Sequence, residues 1–150
     1  MRYLGVVFLA WLLGLQTASA TDDGLISIPS KYSVAETADR LESILQKKGM
    51  TVFIRIDHAQ GAKQIGMELR DTEVVIFGNP KIGSVLMQCQ QQVGIDLPQK
   101  ALIWKDADAK IWLSYNTPDY LAARHSIEGC AEALTKVSGA LAKFAAAATQ

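Results

Sequence analysis

Only two histidines occur among the 150 residues, His58 and His125. Each follows polar or charged residues near the end of a regular segment, where an imidazole could act as an acid–base group or ligate a metal. A histidine at a core edge also has a structural use, as a cap or a hydrogen-bonded side chain. Met67 and Met87 could add soft thioethers for cuprous ion, so the alternative copper-type set would be His58, Met87 and His125. The dense Met/His clusters of copper carriers are absent, as are the H-x-x-x-H and C-x-x-C spacings of zinc sites. Ser84 and Ser114 lack a G-x-S-x-G setting. Asp106 and Asp108 fall in a turn, and turn chemistry explains them. No nucleophile is matched with a base. The enzyme reading rests on two histidines alone, so a non-catalytic protein is preferred and no cofactor is implied.

Residues 76–89, IFGNPKIGSVLMQC, raise a different chemistry. Gly78 and Gly83 have four residues between them, as in a phosphate-binding loop, but Ser84 stands where that loop needs its lysine. The dinucleotide pattern G-x-G-x-x-G is missing as well. Amides at the helix start beside Lys81 could still hold an anion. Architecture accounts for the stretch first: Asn79 caps, Pro80 suits the first helical position, and Ile82, Val85, Leu86, Cys89 and Val93 share one helical face.

These residues need elements to hold them. Residues 25–28 form a short β-prone run ended by Pro29. Ser33-Val34-Ala35-Glu36 is a capping box opening an amphipathic helix, with Gly49 just past its end. Residues 51–57 alternate, with Val52, Ile54 and Ile56 toward a core and Phe53, Arg55 and Asp57 away from it; the same parity turns His58 inward. Residues 59–69 are ambiguous, and residues 73–77 read as a strand. Residues 101–105 and 110–115 form a hairpin with Trp104 and Trp112 on its arms. Asn116-Thr117-Pro118 caps a short helix running to Arg124. Ile127, Cys130, Leu134, Val137, Leu141 and Phe144 then step by three and four residues along one stripe. The order β-α-β-β-α-β-β-α predicts an α+β domain with a mainly antiparallel sheet and helices packed on one face. The hairpin interrupts the βα alternation that a doubly wound parallel sheet requires.

Arg2, the apolar run over residues 3–15 and Ala18-Ser19-Ala20 have the form of a secretory leader cleaved after Ala20. Residues 1–20 are therefore expected to be a signal peptide, and residues 21–150 one periplasmic domain. That length can bury a core without metal or many disulfides. Losing Arg2 leaves fourteen basic residues against fifteen acidic ones. They are scattered singly, which argues against nucleic acid as a partner. No membrane span is expected to remain after cleavage.

With the motifs placed, the chain resembles the domain-of-unknown-function 302 family. The matching residues are Ile56-Asp57-His58-Ala59, Phe77-Gly78-Asn79-Pro80-Lys81, Leu86-Met87-Gln88, Gly94-Ile95-Asp96-Leu97-Pro98, Trp104, Tyr115-Asn116, and Tyr120-Leu121-Ala122 running to Arg124-His125. They follow in order through most of the region after residue 20. The resemblance implies a compact α+β domain, alone or beside other modules, and supplies no activity and no catalytic residue. Cys89 and Cys130 lie outside its pattern. Both fall on apolar stripes, so they are expected to face the interior, either bridged or as two buried thiols. An exported protein with an even cysteine count favours the bridge.

The preferred reading is a binding or accessory protein. Its crevice would be edged by Trp104, Trp112, Tyr115 and Asn116, with His58, Asn79, Lys81 and His125 as further ligand-binding candidates. The partner would be a small molecule or a periplasmic protein, and a homodimer is open.

Overall fold

The computed structural model describes residues 19–20 and 24–150. The expected leader therefore lies outside the described residues, except for Ser19 and Ala20. In chain order the elements are β1 (Ser19–Ala20), β2 (Leu25–Ser30), α1 (Val34–Lys47), β3 (Thr51–Asp57), α2 (His58–Gln64), β4 (Thr72–Gly78) and α3 (Pro80–Cys89). A 3₁₀ turn (Gln91–Ile95), β5 (Gln99–Lys105), β6 (Ile111–Asn116), α4 (Pro118–His125) and α5 (Ala131–Thr149) complete the chain. Every strand pair is antiparallel, in the spatial order β1-β2-β6-β5-β4-β3. Five strands are full length, and β1 is a two-residue ribbon on the edge. This is the α+β architecture expected, and it excludes the doubly wound alternative.

Alternation decides which side of the sheet is covered. Along β4, β5 and β6 the inward residues include Val75, Phe77, Ala101, Ile103 and Leu113, all buried. They share one core with Ala38, Leu41 and Leu45 of α1 and with Leu141, Phe144 and Ala148 of α5. Burying each large apolar side chain contributes roughly 1.5–3 kcal/mol. Helix α1 starts where its capping box predicts, with Ser33 Oγ accepting from the Glu36 N–H at 3.2 Å. It stops at Gly49, whose φ of +70° suits a glycine just past a helix end. The far end of α5 is held by Arg40, whose guanidinium donates to the carbonyls of Ala147, Ala148 and Gln150. That guanidinium also lies over the Tyr32 ring, 4.0 Å from its centroid.

Strand β3 corrects the sequence reading. The ladder to β4 shifts register between Val52 and Ile54. An extra residue there, a β-bulge, reverses the parity of everything after it. Val52 still packs on the core, but Ile54 and Ile56 face outward, 52% and 37% exposed. Arg55 and Asp57 take the inward positions opposite Val75 and Glu73. Arg55 then pairs with Glu73 at 2.5 Å, Asp39 at 2.6 Å and Glu42 at 3.0 Å, tying this edge strand to α1 and β4. His58 does not turn inward: it is exposed and begins α2, whose cap Asp57 accepts from the Gln60 N–H at 2.8 Å.

Three boundaries differ as well. Strand β2 runs through Pro29, which pairs with Trp112. Its other neighbour β1 reaches only Ile26 and Ser27, so the missing proline N–H breaks no ladder bond there. The apolar stripe after Pro80 ends as a helix at Cys89, and Val93 belongs to the 3₁₀ turn. The last helix starts at Ala131 and leaves Ile127 in the connection, because Ser126 and Gly129 adopt positive φ.

Candidate functional site

Strand β4 ends at Gly78, and Asn79 turns the chain into α3 by accepting from the Lys81 N–H at 3.0 Å. That corner forms one wall of an open cleft of about 450 Å³. Ile82, Gly83, Leu86 and Met87 of α3 continue the wall. Val137, Ala140, Leu141 and Phe144 of α5 face them, and Leu97-Pro98, joined by a cis peptide, closes the third side. Phe53 reaches the rim because the β3 bulge re-aims it. Lys136 stands at the mouth, paired with Glu132 at 2.7 Å, and holds that carboxyl below its ordinary range.

The lining is almost wholly apolar, which makes its one buried polar side chain informative. Gln99, the first residue of β5, lies opposite Phe77 on the inward face and lines the cleft. It is only 9% exposed, and its side-chain nitrogen has no hydrogen-bond partner among the described residues. Leaving a buried amide unpaired costs roughly 1–3 kcal/mol. A cavity of this size, almost wholly apolar and with a buried amide in its wall, has the anatomy of a small-molecule site. Sequence reasoning missed Gln99, although period two from Ala101 and Ile103 places it on the core face.

Cys89 and Cys130 are bridged, with Cα atoms 6.4 Å apart. Neither lies mid-stripe on a helix: Cys89 ends α3 and Cys130 is the residue before α5. The bridge therefore joins the end of one helical wall of the cleft to the start of the other, with a Cα separation inside the range a disulfide spans.

The other candidates are dispersed. Trp104 and Trp112 stack with ring centroids 6.4 Å apart. Their registers put both on the outer sheet face, while Tyr115 is buried in the core on the opposite side and Asn116 is exposed at the strand end. The four therefore do not form one crevice. Burial raises the Tyr115 phenol above its ordinary value. Asn79 does line the cleft, but its side-chain oxygen is engaged in capping, and neighbouring Lys81 is exposed.

The His125 side chain is 8% exposed and its Nε2 lies 2.5 Å from Asp96 Oδ2. Arg124 Nε approaches the same oxygen at 3.2 Å. Tyr120 Oη and Asp96 hold the Arg124 guanidinium above its ordinary value. Asp96 precedes β5 near Phe77, whereas His58 follows Asp57 opposite Glu73, at the other end of β4. The histidines are thus not neighbours, and Met87 belongs to the cleft. Among the described residues, no three His, Cys, Asp or Glu side chains cluster as metal ligands would.

The model of the family described as "Domain of unknown function DUF302" matches residues 26–144. A crystal structure of an uncharacterized conserved DUF302 protein from Bacillus stearothermophilus superposes with a TM-score of 0.76 at 16% identity, covering 85% of this chain and 98% of that one. Two curated relatives are named fluoride-specific ion channel FluC 1. The one from Brucella suis biovar 1 is 44% identical over 133 residues, covering 86% of this chain and 52% of the relative. The one from Brucella abortus biovar 1 is 44% identical over 133 residues and is covered to 49%. The chain thus spans about half the length of these relatives. Among the described residues, no helix is long and apolar enough to cross a membrane.

Proposed function

This chain belongs to the DUF302 family, and from that premise we propose that it is an exported, non-catalytic protein that binds a small apolar molecule in the α3–α5 cleft. The observation that carries the reading is the unpartnered amide of Gln99 in an otherwise apolar wall. The unpartnered atom is the amide nitrogen, a donor, so the ligand would carry an accepting oxygen, hydroxyl or carbonyl, on a compact hydrocarbon body. Pairing that amide would relieve its burial cost only for such a ligand, which gives selectivity over plain hydrocarbons. The disulfide between the walls suits an oxidising, extracytoplasmic compartment. Occurrence of the domain as about half of longer relatives suits an accessory role. The channel activity in their names is not carried to this chain.

A titration tests the proposal. 1-Naphthol and naphthalene have nearly the same shape and differ by one hydroxyl. Saturable binding of 1-naphthol, followed by calorimetry, should exceed that of naphthalene in the native protein. Gln99→Leu should erase the difference. Gly83 lines the cleft, and its nearest foreign atom is Leu97 Cδ1 at 3.9 Å from where a Cβ would stand. Gly83→Phe should therefore fill the space and abolish binding of both probes. Binding that persists in Gly83→Phe, or no saturable binding at all, would overturn the assignment.

A further inference from the structure

Among the described residues, the core-forming helices α1 and α5 pack on one side of the sheet and leave the other side only partly covered. Val74, Ile76 and Leu102 occupy successive outward positions on β4 and β5, continuous with Ile54 and Ile56 on β3. None of these five belongs to the core, and the stacked Trp104–Trp112 pair extends the same surface onto β6.

The polar side-chain atoms around the tryptophan pair are already satisfied within the chain. Trp104 Nε1 donates to Ser114 Oγ at 2.9 Å, and Ser114 Oγ lies 2.7 Å from Ser27 Oγ across the ladder. Trp112 Nε1 donates to Asp106 Oδ2 at 2.7 Å. A centre built this way loses no side-chain hydrogen bonds when water is removed, so it is prepared for dry contact.

Charge selects the occupant. On the outward positions of the five full strands the one charged residue is Lys100, and its ammonium folds back onto the carbonyls of Asp96 and Pro98 at 3.0 and 3.2 Å. A charged partner would meet only this one, already engaged ammonium, whereas a second copy presents the same largely apolar surface. Five strands about 4.8 Å apart and about six residues long cover roughly 500 Å² in projection. Corrugation by side chains brings the accessible area toward the ~800 Å² per partner of a standard interface.

We propose that the outer sheet face is the interface of a homodimer, two copies packing sheet on sheet about a two-fold axis. The sheets would lie about 10 Å apart at the usual aligned angle, with Val74, Leu102 and the tryptophan pair at the centre. The helical layers and their clefts would then face outward, one on each side.

Sedimentation velocity on protein expressed from the full chain tests this. The expected native species has twice the chain mass at micromolar concentration. Leu102→Lys should weaken association roughly tenfold or more by placing two ammonium groups in a dry interface. Ile54→Lys, at a position already half exposed in the single chain, guards against a variant that only misfolds. Both should keep the native circular dichroism while sedimenting as monomers. A native monomer would overturn the proposal, whether a different protein or residues 1–23 of this chain cover the face. A dimer that survives both variants with unchanged affinity would overturn it equally.

Discussion

The inner and outer faces of the sheet are made from the same strands, and adjacent residues belong to opposite worlds. Val75 is fully buried beneath α1, while Val74 next to it lies outside the core. The inner face is closed by side chains from helices of the same chain. The outer face is closed only in its hydrogen bonding, through Trp104, Ser114, Ser27 and the Trp112–Asp106 pair. The contrast separates two uses of apolar surface. One is closed by helices of the same chain, and the other leaves Val74, Ile76 and Leu102 only partly buried.

Two leucines give the most direct way to break that contrast. Leu113 is inward and 1% exposed; Leu102 is outward and only partly buried. Leu113→Ala should cost roughly 3–5 kcal/mol, transfer and cavity combined. Leu102→Ala should cost less, about 1–2 kcal/mol in protein dilute enough to be monomeric, since part of its surface stays in water there and no closed cavity is left. Urea unfolding at two protein concentrations measures both. Equal costs in dilute protein would mean that the outer face is already covered by the chain itself.

The bridge offers the next largest effect and acts on the inner side alone. Cys89 and Cys130 are 41 residues apart in sequence, so the chain-entropy model gives roughly 3–4 kcal/mol for their link. Removing it as Cys89→Ser with Cys130→Ser should lower stability by that amount and loosen the cleft walls. Trp104 and Trp112 are the only tryptophans beyond residue 20. Their fluorescence therefore reports the outer face and should not change in the native state of the variant. A changed native emission would show that the two faces are coupled, and unchanged stability would show that the link contributes nothing.

The parts legible in the sequence are those set by local chemistry. Ser33, Asn79 and Thr117 cap helices as their side chains predict. Strand β4 was readable as a strand over residues 73–77, but its inward face was not, because Val74, Val75, Ile76 and Phe77 are all apolar. Parity along β3 was hidden too, because the bulge at Val52 has no sequence mark that period-two counting can see. It sent Ile54 and Ile56 outward and brought Arg55 to three carboxylates. The cleft was illegible for another reason: its walls come from residues far apart in sequence, near Phe53, Asn79, Pro98 and Phe144. Gln99 gave the one readable hint, a polar residue in phase with buried ones.

The smallest effect lies at the turn below the tryptophan pair, where acid should loosen the outer face first. Asp106 accepts from the N–H groups of Asp108 and Lys110, both at 2.9 Å, and from Trp112 Nε1. These bonds, the indole foremost, hold its carboxyl below the ordinary value. A carboxyl whose folded-state pKa is depressed stabilises the fold above its unfolded value, near pH 4, and that contribution is lost as pH falls through the folded value. Asp106→Asn should therefore be slightly less stable than the native protein at neutral pH and converge with it in acid. Urea unfolding from neutral pH down through the acid range below the unfolded carboxyl value makes the comparison. The native emission of Trp112 should move over the same acid range, because its indole partner is the group that protonates. Stability curves that run parallel at every pH would assign the turn to backbone geometry alone, with the Trp112 indole held by packing rather than by the carboxylate.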